Sequence, residues 1–417
     1  MKFCVHTLGC KVNQSETREL ENILAARGHT LAEPGQGCDV CVINTCAVTD
    51  ESARKSRQAI RRIKKLESRA LVAVCGCLSA LEPAAIAELG ADIVGGPGDK
   101  SELVQKIESA VRDSDGAQTT DKGQSPGAKT RALLKIQDGC DNFCAYCVIP
   151  FARGRSQSVP IEHAVEQAKR FSDDGVKEIV VTGIEIASYH DEKSGLRLVD
   201  AICAVGGAVP ETRLRIGSLD PCAVNENFCA GLVGVNVCDH FHLSLQSGCD
   251  DTLRRMKRKY DVAAVQGAIA MLRERFPNCG ITADLITGFP GETDDEFEKT
   301  LEFIRSAKFS DMHIFPFSPR RGTAAFDMPG GVNKAVRRER AQEAMRVARR
   351  NALKFKLSQI GKTVEVLFER ERNGFWAGHS GNYLEVCVKN GGGRNSIHKV
   401  LITAAENEFV RGEIVTI

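Results

Sequence analysis

The sequence predicts an α/β protein in three parts: an N-terminal doubly wound parallel sheet, a partial (β/α)6 barrel, and a small C-terminal β-barrel of OB type. Three observations carry this. Short β-like runs alternate with helix-like runs through most of the chain. A polar stretch at 113–129, rich in Ser, Thr, Gly, Asp and Gln, interrupts them as a linker would. From Gly361 onward the texture changes to short strands separated by turns.

Residues 1–112 form the first part. "FCVHTL" precedes the helical run "SETRELENILAARG", where Ser15 reads as a cap and Gly28 as a stop. "DVCVIN" precedes "DESARKSRQAIRRIKKL", and "ALVAV" precedes "EPAAIAELG". Ligands of such sheets collect outside the carboxyl ends of the strands. Cys10, Cys46 and Cys77 each fall just past such an end, so three distant thiols could meet on one edge. Cys75 competes with Cys77 on this reading. "CDVC" with Cys46 offers a rival local set, disfavoured because Cys41 sits mid-strand, where a thiol is a small buried hydrophobe.

Residues 130–355 form the second part. Its strands are "ALLKI", "EIVVTG", "LRIGS", "HFHLSL", "ITADLITG" and "MHIFPF", with helical runs such as "IEHAVEQAKRF" and "DDEFEKTLEFIRSA" between them. Six β/α units fall short of the eight of a closed barrel, leaving an open side for a large substrate. Residues 356–417 hold "KTVEVLFER", "GFWAGHSG", "YLEVCVK", "HKVLITAAE" and "EIVTI", five strands of a small barrel.

Composition narrows the class. Apolar content of 42% and charge of 26% are those of a soluble globular chain. No apolar run is long enough for a membrane span, and the first residues lack a signal-like apolar core, so a cytoplasmic location is expected. There, 17 cysteines point to metal ligation rather than a disulfide framework. The net charge of +2 hides two basic stretches: 54–69 has eight Lys/Arg against one acid, and 334–356 has nine against two. Such stretches suit a polyanion partner, nucleic acid above all, although a solvated helix face would look the same.

"GCDNFCAYC" at 139–147 carries the strongest signal. A C-x3-C-x2-C pattern arises by chance only about 0.03 times in a chain with this cysteine content. No second Cys or His pair follows to complete a zinc shell. Three thiolates on a [4Fe–4S] cluster leave one iron open, which a catalytic site needs. Phe143 and Tyr146 are placed to shield it from water. Among the other cysteines, Cys4, Cys203, Cys222, Cys229, Cys238, Cys249, Cys279 and Cys387 have no ligand spacing and read as core fillers. "HFH" at 240–242 reads as packing. Neither a G-x-x-x-x-G-K-[ST] loop nor an H-E-x-x-H set occurs.

"GCDNFCAYCVIPFARGRSQS" resembles the cluster loop of radical S-adenosylmethionine (SAM) enzymes. Together with "LGCKVNQSE", "VINTCAVT", "GCLSA", "VTGIEIASY", "HLSLQSGCDDTLRRMKRKY", "ADLITGFPGET" and "FPFSPRRGTAA", it makes nearly the whole chain resemble the methylthiotransferase family. "GCKVNQSE" and "TGIEIASY" are most similar to the branch acting on N6-threonylcarbamoyladenosine in tRNA. Isopentenyl-adenosine and ribosomal-protein branches are the nearest alternatives, and a non-catalytic Fe–S RNA-binding protein is the alternative of another class. The resemblance implies an N-terminal methylthiotransferase domain, a radical-SAM barrel and a C-terminal TRAM domain. It implies that Cys140, Cys144 and Cys147 hold the SAM cluster, and that Cys10, Cys46 and Cys77, rather than Cys75, hold an auxiliary [4Fe–4S] cluster. It further implies SAM contacts at Gly183, Glu185, Arg215, Gln246 and Asp284. The reaction implied is reductive SAM cleavage, hydrogen abstraction at C2 of the adenine, sulfur insertion and methylation by a second SAM. Implied partners are a tRNA anticodon stem-loop, a flavodoxin- or ferredoxin-like electron donor and a sulfur source, with no membrane.

Overall fold

The computed structural model describes residues 1–113 and 130–415. The expected linker at 113–129 falls almost entirely outside them. Two compact units are interleaved in sequence: the first gathers 1–113 with 138–156 and 318–326, and the second gathers 130–137, 157–317 and 327–415.

In the first unit the order is β1 (Lys2–Thr7), α1 (Lys11–Ala26), β2 (Thr30–Leu31), β3 (Val40–Thr45), α2 (Asp50–Leu66), β4 (Leu71–Gly76), α3 (Cys77–Leu81), α4 (Pro83–Glu88), β5 (Ile93–Val94) and α5 (Lys100–Asp113). The strands pair in parallel in the order β2-β1-β3-β4-β5. Phe3, Val40, Val42, Ala73 and Cys75 build one apolar face against Leu20 and Leu24 of α1 and Val104 and Ile107 of α5. Helix α1 starts four residues ahead of the expected cap: Cys10 is the N-cap residue, and Ser15 lies inside the helix. Gly28 does follow its end, at φ +84°. Thr49 caps α2 by accepting from Ser52 N, with Asp50 and Glu51 in the first turn and Lys64 and Lys65 in the last, as the helix dipole favours.

The second unit opens with β6 (Arg131–Lys135). The chain then passes β7 (Gln137–Asp138), α6 (Ile149–Arg153) and β8 (Gln157–Ser158), α6 belonging to the first unit. It continues with α7 (Ile161–Asp173), β9 (Glu178–Thr182), α8 (Leu198–Ala208), β10 (Arg213–Ile216), β11 (Ser218–Leu219), α9 (Glu226–Gly231), β12 (His240–Gln246), α10 (Asp250–Arg255), α11 (Val262–Arg275), β13 (Gly280–Thr287), α12 (Asp294–Ala307), β14 (Asp311–Pro316) and α13 (Lys334–Leu357). The parallel wall is β6-β9-β10 followed by β11-β12-β13-β14. The six expected strand runs all appear, "LRIGS" being divided at Gly217 into β10 and the start of β11. Strands β15 (Thr363–Arg372), β16 (Phe375–Ser380), β17 (Glu385–Val388), β18 (Ser396–Ala405) and β19 (Val410–Ile414) close the small barrel around Val366, Phe368, Val386, Val400 and Val410. None of the described helices is long and apolar enough to cross a membrane.

One carboxylate ties the small barrel to the larger one. Glu178, at the start of β9 and fully buried, faces Arg131 Nε at 2.7 Å, Arg213 Nε at 2.6 Å and Arg215 Nε at 2.8 Å. The same three arginines reach into the small barrel. Arg131 pairs with Glu369 at 2.9 Å, Arg213 donates to His379 O, and Arg215 donates to Gly381 O and Ser380 O. Arg131 and Arg213 begin their strands, so this joint lies at the N-terminal ends of the barrel strands. Burial alone would raise the Glu178 pKa, but Arg215, Arg213 and Arg131 hold it well below the usual carboxylate range. Its contribution to stability is therefore present above the unfolded-state value near 4.5 and lost on acidification. Glu178→Gln should lower the unfolding free energy by about 3–5 kcal/mol, because the buried Arg213 and Arg215 and the half-buried Arg131 lose their shared partner. Urea denaturation at neutral pH checks this; a loss below about 1 kcal/mol would contradict the assigned role.

Candidate metal centre

Three loops of the first unit bring Cys10, Cys46 and Cys77 together. Each follows a carboxyl end: of β1, β3 and β4. Backbone shape, more than side-chain choice, sets their approach. Gly9 has φ +100°, and a Cβ there would lie 2.8 Å from Cys46 Cβ and 2.9 Å from its Sγ. Gly76 also has φ +100°, and a Cβ would lie 2.5 Å from Asn44 Oδ1. Polar side chains then clamp the loops to one another. Asn13 Nδ2 donates to Leu8 O at 2.8 Å and Thr45 O at 3.0 Å, and Asn44 Nδ2 donates to Asn13 O at 3.0 Å. Thr45 donates to Cys75 O at 2.6 Å, and Ser56 accepts from Cys46 N at 3.1 Å.

Cys46 and Cys77 are buried and Cys10 is exposed. Burial pushes both buried thiols up, Cys77 to about 11, while Arg153 favours their thiolates. The three sulfurs are close enough to couple electrostatically. Three cysteine sulfurs gathered at strand ends are a donor set that an iron–sulfur cluster can take. Cys75 points elsewhere, into the apolar core beneath α1 and α5.

Arg153, the last residue of α6, connects this trio to the second cysteine motif. Its side chain is fully buried. Nε lies 3.2 Å from Cys77 Sγ, Nη2 donates to Asn13 Oδ1 at 2.7 Å, and Nη1 pairs with Glu16 at 2.7 Å and Asp138 at 2.9 Å. The planar fork of a guanidinium meets four partners at once, which an ammonium could not. The motif loop itself turns back on α6: Cys140 N donates to Gly154 O at 3.1 Å and Cys147 N to Cys144 O at 3.0 Å. Cys140 and Cys144 are buried and Cys147 is half-buried. Ala325 N donates to Ala145 O at 2.7 Å and braces the loop from behind. Phe143 is 42% exposed, with φ +46°, and packs edge-on against Phe151 beneath Arg155.

The five expected SAM-contact residues lie in the second unit. Gly183 and Glu185 follow β9 at its carboxyl end, where Glu185 N donates to Gln137 Oε1 at 2.8 Å. Gln246 ends β12 with φ +65°, an unusual backbone for glutamine and one that recurs at functional sites. Asp284 lies within β13, beside His242 Nε2 at 3.1 Å and His313 Nδ1 at 3.2 Å. His242 therefore does more than pack: it joins a His–Asp–His set across three neighbouring strands. Arg215 is the exception among the five. Its guanidinium is committed to Glu178, Ser380 and Gly381 at the opposite end of the strands, and stacks over Tyr383 at 4.7 Å. It anchors the small barrel rather than facing the carboxyl ends. Cys222, expected in the core, is exposed.

Comparisons with known proteins agree with this geometry. The family model of the radical SAM superfamily matches residues 134–304, and that of uncharacterized protein family UPF0004 matches residues 2–96. The threonylcarbamoyladenosine tRNA methylthiotransferase MtaB of Bacillus subtilis is 33% identical over 99% of this chain and 96% of its own length. The enzyme of the same name from Thermotoga maritima is 35% identical over 88% and 86%. The tRNA-2-methylthio-N(6)-dimethylallyladenosine synthase of Porphyromonas gingivalis is 30% identical over 99% and 95%. Among solved structures, the radical SAM methyltransferase TsrM of Kitasatospora setae shares the fold, with a TM-score of 0.58 at 14% identity over 78% of this chain and 77% of that one. With relatives matched from end to end at such identity, the chain belongs to the radical SAM methylthiotransferase family.

Proposed function

We propose that the chain inserts a methylthio group at C2 of N6-threonylcarbamoyladenosine beside the anticodon of tRNA. The observation that carries this reading is the pairing of two cysteine trios in one compact unit, joined through Arg153. The MtaB relatives, at 33–35% identity, favour the threonylcarbamoyl branch over the dimethylallyl branch.

Cys140, Cys144 and Cys147 would hold the cluster that binds SAM, and Cys10, Cys46 and Cys77 the auxiliary cluster. Bound there, the clusters and SAM supply the one-electron, sulfur and methyl chemistry. The protein's own residues position and enclose. Arg153 places a permanent positive charge beside Cys77 and pairs with Glu16 and Asp138, Glu16 having Lys100 as a second cation partner. Asp284, held ionised by its imidazole neighbours against the effect of burial, offers an acceptor to a polar substrate or cofactor group. Gly183, Glu185 and Gln246, at the strand ends, would line the SAM pocket. An electron donor of flavodoxin or ferredoxin type, a sulfur source and a cytoplasmic setting complete the proposal.

RNA contact is assigned in part to α13. Its inner side packs through Ala341, Ala344, Val347 and Ala348, and Arg340 is buried on Glu292 and Asp294. Arg338, Arg346, Arg349, Arg350 and Lys354 remain exposed. So the basic stretch is divided between structure and a surface suited to phosphates.

Three outcomes are expected. In a deletion strain, nucleoside mass spectrometry of tRNA should show loss of the 2-methylthio nucleoside and accumulation of N6-threonylcarbamoyladenosine; an unchanged profile would refute the assignment. Cys140→Ala should abolish SAM cleavage and remove about four irons per chain, whereas Cys10→Ala should also remove about four but leave SAM cleavage in place, as two separate tetranuclear clusters require. The combined substitution R346Q/R349Q/R350Q should weaken tRNA binding and flatten the plot of log affinity against log salt by up to about 1 unit per residue.

A further inference from the structure

A third set of thiols lies apart from both trios. Cys4 stands in the middle of β1, and Cys41 of β3 is its register partner. Cys38 enters the same group from just ahead of β3. Their ligand atoms all lie within 4.8 Å of one another, and Cys4 Sγ is 2.8 Å from Cys41 Sγ. All three are buried, with 1%, 6% and 0% exposure for Cys4, Cys38 and Cys41. Phe3, Val40 and Val42 turn to the core beneath α1 and α5, so strand alternation puts Cys4 and Cys41 on the opposite face.

A carboxylate lies beside the group, next to Cys38. Glu67, the residue after α2, is 6% exposed, and Gly35 N, Gly37 N and Cys38 N donate to it at 2.6, 3.3 and 3.3 Å. It also lies within hydrogen-bonding reach of the Cys38 thiol. Core filling explains one buried cysteine, but it does not explain three whose sulfurs face one another beside an oriented carboxylate. The 38–41 spacing is C-x2-C, the chelating pair of thiolate metal sites. Metal–sulfur bonds of about 2.3 Å in a tetrahedron put the sulfurs about 3.8 Å apart, a separation the group reaches with small rotamer changes.

We propose that Cys4, Cys38 and Cys41, with Glu67 as the fourth donor, bind one thiolate-seeking divalent ion of the zinc class. Binding displaces three thiol protons to solvent and closes the shell, so the ion is structural: it staples the start of β3 and the end of α2 to β1. The proposal is independent of the methylthiotransferase reading.

The test uses the full chain, purified without oxygen from zinc-supplemented cells, with its iron–sulfur clusters reconstituted. Elemental analysis should find about one zinc per chain beyond the iron, as a single closed site requires. C38S/C41S should lose that zinc while keeping the wild-type iron content and SAM cleavage. Should this variant fail to fold, Co2+ exchanged into the wild-type holoprotein provides the second measurement: intense thiolate-to-cobalt charge-transfer bands, lost in Cys4→Ala, are expected. A wild-type holoprotein free of zinc, zinc unaffected by both sets of substitutions, or a Cys4–Cys41 disulfide found by mass after alkylation would each overturn the proposal.

Discussion

A single buried guanidinium sets the terms for the first unit. Arg153 has no exposed side-chain surface, so its charge must be met within the protein. Glu16 of α1 and Asp138 ahead of the cysteine loop supply two carboxylates, Asn13 a carbonyl and Cys77 a sulfur. Glu16 is itself buried and also lies 3.7 Å from the buried Lys100, so removing Arg153 or Glu16 would disturb a buried charge network at several kcal/mol. Helix α1, the turn after β4 and the loop at 140–147 are thereby held to one arrangement. The fixed placement of the two cysteine trios comes from this network more than from regular secondary structure, because only Cys77, the first residue of α3, stands inside a helix or strand.

Much of the architecture was legible because its signals are local. The six strands of the open barrel and four of the small barrel coincide with short apolar or alternating runs bounded by turn residues, whereas β19 (Val410–Ile414) begins three residues ahead of the expected "EIVTI". C-x3-C-x2-C was legible for the same reason. Cys10, Cys46 and Cys77 were legible only through topology: a parallel sheet gathers its carboxyl ends on one edge, so distant residues acquire a common address. Helix α1 was misjudged at its start because Ser15 resembles a cap, while the helix opens at Cys10 with no side-chain cap bond.

What escaped the sequence depends on partners far away along the chain. Arg153 meets Glu16 across 137 residues, and no periodicity marks it. Arg215 was placed near the cofactor because it lies in a barrel strand. A strand position fixes neither the end toward which a long side chain runs nor its partner, and Glu178 draws it to the other end. His242 looked like packing because its charged partner, Asp284, lies on the next strand. Cys4 reads as a filler by itself, and Cys38 and Cys41 read as a rival set with Cys46; only the β1–β3 register brings Cys4 to them.

The docking of the small barrel on the N-terminal ends of the strands has a consequence for distance. Those strands are six to eight residues long where they are longest, a height of about 20–25 Å. A group held on the small barrel and one held at the carboxyl ends of those strands therefore stand at least that height apart, so within this unit the strand length acts as a fixed spacer between its two ends.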